Sequence, residues 1–273
     1  MNLLKQVWRA PLSARFGLLM ILLYILVAAP VLAPFGETQV VGAGFEPWGG
    51  QFLLGTDNLG RDMFSRLVYG ARNTLGIAFL TTVLAFLLGG LSGLIAAIKG
   101  GWVDQGLSRV VDILMAIPQL IFALLILSVV GTNATSLVLV IALLDATRVF
   151  RLSRAVAMNV VVQDFVEAAR LRGEGLWWLV TREVLPNAAA PLIAEFGLRF
   201  CFVFLFISAL SFLGLGIQPP TADWGSMVRD NAVLITFGDI SPLLPALAVA
   251  LITVSVNFVV DWMLHKSSGL KEC

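Results

Sequence analysis

The chain has 273 residues, 59% hydrophobic and 13% charged, with 18 lysines and arginines against 17 aspartates and glutamates. Its mean hydropathy is +0.93. A soluble domain carries about 25% charged residues, so this composition excludes a soluble globular enzyme and a disordered chain. The near-zero net charge offers nucleic acid no general attraction. Two cysteines, Cys201 and Cys273, make no disulfide framework. The class that remains is an all-α polytopic membrane protein, with the lipid bilayer as its first partner.

A helix needs about 20 apolar residues to cross a bilayer. Six segments meet or approach that length: Phe16–Phe35, Asn73–Ile98, Val111–Val130, Ser136–Val149, Pro191–Gly216 and Leu243–Leu264. The fourth is the shortest because Asp145 and Arg148 interrupt it. With both termini in the cytoplasm, the inner side holds Lys5, Arg9, Arg15, Lys99, Arg109, Arg148, Arg151, Arg154, Arg170, Arg172, Arg182, Lys266 and Lys271. The outer side holds only Arg61, Arg66, Arg72 and Arg229, and Arg199 falls inside the fifth span. That asymmetry is the one membrane insertion produces. Residues 1–72 then comprise an inner segment, the first span and an outer loop. Residues 73–265 form a core of five spans with a cytoplasmic loop at 150–190, and 266–273 form a short tail without a regulatory domain. The first apolar run is too long for a signal peptide, so the span is expected to be retained.

Along the core, Gly89, Gly90, Ser92 and Gly93 supply small residues of the kind that let membrane helices approach. No G-x-x-x-x-G-K-[ST] is present, so ATP phosphates have no such cradle in this chain. One histidine, His265, and no cysteine cluster argue against a metal site. No cofactor is expected in the chain itself.

The cytoplasmic loop is the most informative stretch. Gln163–Leu171 reads as a short helix, and Gly173 stands where a helix C-terminus needs a left-handed residue. Leu176–Val184 reads as a second short amphipathic helix, stopped by Pro186. Glu167-Ala168-Ala169, then Gly173, then Leu185-Pro186 resemble the signature loop of bacterial ABC importer permeases, E-A-A-x3-G-x9-I-x-L-P. Glu183 stands where that pattern has isoleucine. The resemblance implies that the loop docks on an ATPase subunit, with the two alanines forming a small face that seats deeply.

Two outer segments narrow the likeness. Leu54–Asp62 (L-G-T-D-N-L-G-R-D) runs on to Arg72, and Ala209–Pro220 (A-L-S-F-L-G-L-G-I-Q-P-P) is followed by Asp223-Trp224-Gly225. Both resemble the second, C-type permease of dipeptide, oligopeptide and nickel importers. Asp112, Ile113–Gln119 with Pro118, and Asn257 with Asp261 extend the resemblance. It implies the type I permease fold in the bacterial cytoplasmic (inner) membrane. It also implies a second homologous permease, one or two P-loop ATPase subunits that bind ATP and Mg, and an extracytoplasmic substrate-binding protein. Peptides are the default substrate, with nickel, sugars or opines as alternatives in the same family.

From the residues alone, Asp57, Gly60, Arg61 and Asp62, with Gln218, Pro219, Asp223 and Trp224, read as closures of structured outer loops, Trp224 being an interfacial anchor. Their functional alternative is an outer gate and a seat for the binding protein. Glu195 and Arg199 are four apart, the spacing of an ion pair on one helix. With Phe200 and Phe204 they are the pathway and gate candidates. Asp112, Asp145 and Asp261 are expected to pair with loop arginines. A remote rival is a rhomboid-like protease, with Ser92 in Gly90-Leu91-Ser92-Gly93 and His265 as its base.

Overall fold

The computed structural model describes residues 10–28, 30–49 and 51–268, and no strand occurs among them. Lys5, Arg9, Lys271 and Cys273 lie outside the described residues. The helices are α1 Leu12–Val27, α2 Met63–Lys99, α3 Gly101–Ala116, α4 Gln119–Val130 and α5 Ala134–Val161, then α6 Asp164–Leu171, α7 Leu176–Phe212, α8 Trp224–Asn231 and α9 Leu243–Ser268.

Side-chain caps set several starts. Asp62 accepts from Ser65 N (2.7 Å) at α2, Asn133 from Ser136 N (2.7 Å) at α5 and Asp223 from Ser226 N (2.8 Å) at α8. The bundle core packs Leu127, Leu137 and Ile141 against Phe204, Ile207, Leu210 and Ile252. α2 and α5 approach through the predicted glycines: a Cβ on Gly93 would stand 2.7 Å from the Phe150 carbonyl oxygen. The outward faces of α1, α4 and α9 stay apolar and exposed, as at Leu19, Leu125 and Leu247. In water such faces would be buried, so they face lipid or another subunit.

Helices α2, α7 and α9 are long and apolar enough to cross a membrane, and α3 with α4 makes a fourth candidate if the pair is one span. The expected straight span Val111–Val130 is instead two helices meeting at 87°. Pro118 has no N–H and disfavours helix at the residue before it, and Ile117 is extended at φ −91°, ψ 130°. The first apolar helix stops at Val27 rather than Phe35, with a 3₁₀ turn at Pro30–Leu32. α5 runs twelve residues past the expected end at Val149.

Pro186 does not stop a helix either. α7 is continuous from Leu176 because a π-helical turn over Leu179–Val184 precedes the proline. A wider turn removes the clash that a proline ring makes with the carbonyl four residues back. Asn187 then donates to the Glu183 carbonyl at 2.6 Å.

Candidate functional site

One end of the bundle carries a knob with its own core. Val166 and Ala169 of α6 pack with Leu179, Val180 and Val184 of α7 onto Leu94, Ile98 and Ala157 at the ends of α2 and α5. α6 ends in a Schellman arrangement: Gly173 N donates to the Arg170 carbonyl (2.9 Å) and Glu174 N to that of Ala169 (3.2 Å), with Gly173 at φ +82°. Arg170 reaches back to the Ile98 carbonyl at 2.9 Å, tying the knob to the end of α2.

This packing splits the E-A-A triplet. Glu167 and Ala168 are exposed, while Ala169 is fully buried against the protein's own body. The expected outward face of two alanines is therefore reduced to Ala168, flanked by Glu167, Phe165 and Leu171. Gly173, Leu185 and Pro186 are exposed as well. Arg172 joins Glu174 and Glu183 at 3.9 Å each, so the glutamate in the isoleucine position has a cationic neighbour.

Within the bundle, Arg199 lies between two carboxylates, Glu195 at 2.8 Å on its own helix and Asp145 at 3.6 Å on α5. The same-helix pair is the expected one. Asp145, expected near loop arginines, is instead buried about 17 Å along α5, where among the described residues only Arg199 reaches ion-pair distance. Two charges so placed are costly in hydrocarbon unless paired, and the pairing across helices meets that cost. Asp112 does pair with a loop arginine, Arg151 (3.8 Å), with both side chains exposed. Phe204 is fully enclosed, 6.0 Å from Phe200 and 6.1 Å from Trp224, which makes it core packing rather than the wall of a passage. Phe200 borders an apolar groove of about 600 Å³ between α1, α2, α7 and α9.

On the opposite end, the two outer segments interlock. Asp57 accepts from Leu59 N and Arg61 N (2.9 Å each) and from Arg61 Nε (2.7 Å), and it ion-pairs with Arg66 at 3.2 Å. All of Asp57, Arg61, Asp62 and Arg66 are at most 5% exposed. Gly60, at φ +75°, turns the chain within this cluster. Glu37 accepts from Asn73 Nδ2 (2.8 Å) and from Ala222 N, joining the first outer segment to the second. Gln218 donates to the carbonyls of Gly214 and Gly216 (3.0 Å each), and Pro219-Pro220 leads into α8.

Asp223 is completely buried. It accepts from Thr74 Oγ1 (3.0 Å) as well as Ser226 N, and burial pushes its carboxyl above the usual 3.8 despite those donors. Trp224 is not an interfacial anchor: it is 1% exposed, and its indole donates to the Leu67 carbonyl at 3.0 Å. The absent side chain of Gly70 makes room for it, since a Cβ there would lie 2.7 Å from the Trp224 ring. Arg66, Glu37 and Thr74 were not singled out by the sequence. The only signal for Arg66 was its place inside the quoted outer segment.

Ser92 donates to the carbonyls of Leu88 (2.6 Å) and Gly89 (3.1 Å) on its own helix, and Gly93 is a packing contact with α5. The Gly90–Gly93 tetrapeptide is accounted for as a helix crossing. Among the described residues, no group of three or more His, Cys, Asp or Glu could hold a metal.

An all-helical bundle with long apolar helices and a packed knob at one end defines a helical membrane protein. Residues 89–267 match the family described as binding-protein-dependent transport system inner membrane component, and the chain belongs to it. The di/tripeptide transport system permease protein DppC of Pseudomonas aeruginosa is 36% identical over 94% of this chain and 89% of its own length. A putative peptide transport system permease protein of Brucella suis is 38% identical over 91% and 87%. Among solved structures, an amino acid ABC transporter crystallised with histidines gives a TM-score of 0.54 at 20% identity, over 75% of this chain and 94% of that one. The inward-facing MetNI methionine ABC transporter gives 0.56 at 18%, over 74% and 97%. At those identities the likeness concerns the fold alone. The resemblance read from the motifs holds, and these relatives are transport permeases rather than enzymes.

Proposed function

We propose that the chain is a permease subunit of an ATP-driven peptide importer, crossing the bacterial cytoplasmic membrane six times with both termini inside. α1 and α5 supply the two spans that length and composition alone do not count, together with α2, the broken α3–α4 pair, α7 and α9. A second homologous permease supplies the other half of the pathway. One or two P-loop ATPase subunits carry ATP and Mg, and a substrate-binding protein delivers peptide from outside. No cofactor resides in this chain. Peptide as cargo is supported by the names of relatives more than 30% identical along nearly the whole chain.

The observation that carries the coupling role is the knob. Glu167 and Ala168 project from a helix that is fixed at its end by Gly173 and rooted on the ends of α2, α5 and α7. A push on α6 therefore reaches three long helices through a packed core, which is poorly compressible. Leu185 and Pro186 lie on the stem of the same element. Glu195, Arg199 and Phe200 are the pathway candidates, and the interlocked outer segments form the seat for the binding protein.

Glu167→Lys tests the coupling role. The reversed charge is on an exposed side chain, so the protein should insert and accumulate normally while peptide uptake falls at least tenfold and ATPase co-purification weakens. Normal uptake by this variant would overturn the role given to the knob.

A further inference from the structure

The arginines of α5 recur every three residues, and their partners form a series. Arg154 pairs with Asp104 through two hydrogen bonds, one of 2.6 Å, and Arg151 reaches Asp112 at 3.8 Å. Both carboxylates belong to α3, which runs alongside. Arg148 continues the series where α3 has ended and the chain breaks at Pro118. Among the described residues it has no carboxylate within ion-pair distance. Asp145, one turn away on α5, feels the charge of Arg148 but makes its direct ion pair with Arg199. The Arg148 guanidinium rests on the Phe202 ring, 4.4 Å from its centroid.

Arg148 also borders a cavity of about 170 Å³ at the break, with Ile117, Pro118 and Gln119 on the other side. One water needs only about 15 Å³ of such space. The side-chain amide of Gln119 has both its nitrogen and its oxygen buried and makes no hydrogen bond within the protein. The first N–H groups of α4, starting at Gln119, have no acceptor inside their helix, and Pro118 supplies no side-chain cap. A cation that makes no direct ion pair, an unused amide donor and a helix start thus meet at one cavity, about 21 Å along α5 from its first residue. The Arg148 guanidinium stacks on Phe202 and leaves its N–H fork without a carboxylate in bonding distance among the described residues, and a carboxylate can take both prongs of such a fork.

We propose that Arg148 and Gln119 form a carboxylate-binding site that receives the C-terminus of the transported peptide as it passes the α3–α4 break. The proposal rests on the peptide-importer reading. In it, Arg148 provides the two-pronged contact and Gln119 the lateral hydrogen bond, so the site favours free acids over amides.

The test uses the complete importer in proteoliposomes, with its binding protein, and compares uptake of a peptide with that of its C-terminal amide. Arg148→Gln should lower uptake of the free acid about tenfold or more while changing amide uptake little, so the ratio between them collapses relative to the parent. Arg148→Lys keeps the charge without the fork and should give an intermediate ratio, which serves if the glutamine variant does not assemble. An equal loss for acid and amide, or no loss for either, overturns the site. Failure of both variants to retain the second permease would assign Arg148 to assembly instead, and also overturns it. A parent complex that imports neither peptide sinks the peptide reading and this site together.

Discussion

The two ends of the molecule carry motifs of similar length and similar polarity, yet they are built in opposite ways. At the end built from the 54–72 and 209–225 segments, Asp57, Arg61, Asp62, Arg66, Asp223 and Trp224 are all turned inward and engaged by internal partners. At the end that carries α6, Glu167, Ala168 and Leu171 are turned outward, Leu171 with 83% of its surface exposed, while Val166, Ala169 and the Arg170 bond to the Ile98 carbonyl hold the helix down. A charged residue engaged by internal partners shapes a surface. One left exposed on a rigid, capped helix is free to meet a partner. The first arrangement is a stiff, closed platform, and the second leaves an exposed helix face.

The largest difference between the ends should appear at Asp57. Its removal strands Arg61 Nε and Arg66 in a buried site, and breaking a buried charge pair from one side costs about 3–5 kcal/mol. Asp57→Ala should fail to accumulate or should melt far below the parent in detergent. A near-parental melting curve would show that the outer end tolerates loss of its central carboxylate, and the contrast would dissolve. Glu167→Lys is the counterpart: a surface change of this kind alters stability by about 0.5 kcal/mol or less. Its effect should fall on uptake and on ATPase binding, not on stability.

Gly173→Ala lies between these extremes. An alanine in the left-handed region costs about 1–2 kcal/mol, and open space around Gly173 means that no clash adds to it. The penalty falls on the Schellman turn and not on the bundle. Hydrogen exchange should therefore quicken across 164–184 while α2 and α9 remain protected. Uniform quickening would mean that the knob and the bundle share one core.

What was legible in the sequence follows from range. The capped helix at 164–171 and its glycine stop depend on residues within one turn of each other, and both were read within a residue. The Glu195–Arg199 pair is likewise a one-turn relation. Asp145 was misplaced because its partner lies 54 positions away on another helix, and no local pattern records that. Trp224 was misread because an aromatic beside a span looks the same whether it faces lipid or fills the gap left by Gly70. The prolines were visible but ambiguous. Pro186 sits in a continuous helix because a π turn precedes it, whereas Pro118 breaks one because Ile117 goes extended, and the choice between these outcomes is made by tertiary packing.

Asp223 offers the smallest and most pointed test of the platform. Burial raises its carboxyl above the usual 3.8, so the folded state favours the protonated form more than the unfolded state does. The stability this contributes is fully present below the unfolded value and is lost as pH rises from about 4 through the raised folded value. Asparagine is as good a helix cap as aspartate. Its amide can donate to Thr74 Oγ1 while its oxygen keeps the Ser226 N–H, so Asp223→Asn should cost little near neutrality. It should also remove this one pH dependence. Melting temperatures of parent and variant, compared from pH 4 to 7, should show the parent losing ground to the variant as pH rises. If the parent instead gains on the variant with rising pH, the Thr74 and Ser226 donors to Asp223 outweigh its burial, and this platform is held together by a stabilised carboxylate rather than by close packing around a tolerated one.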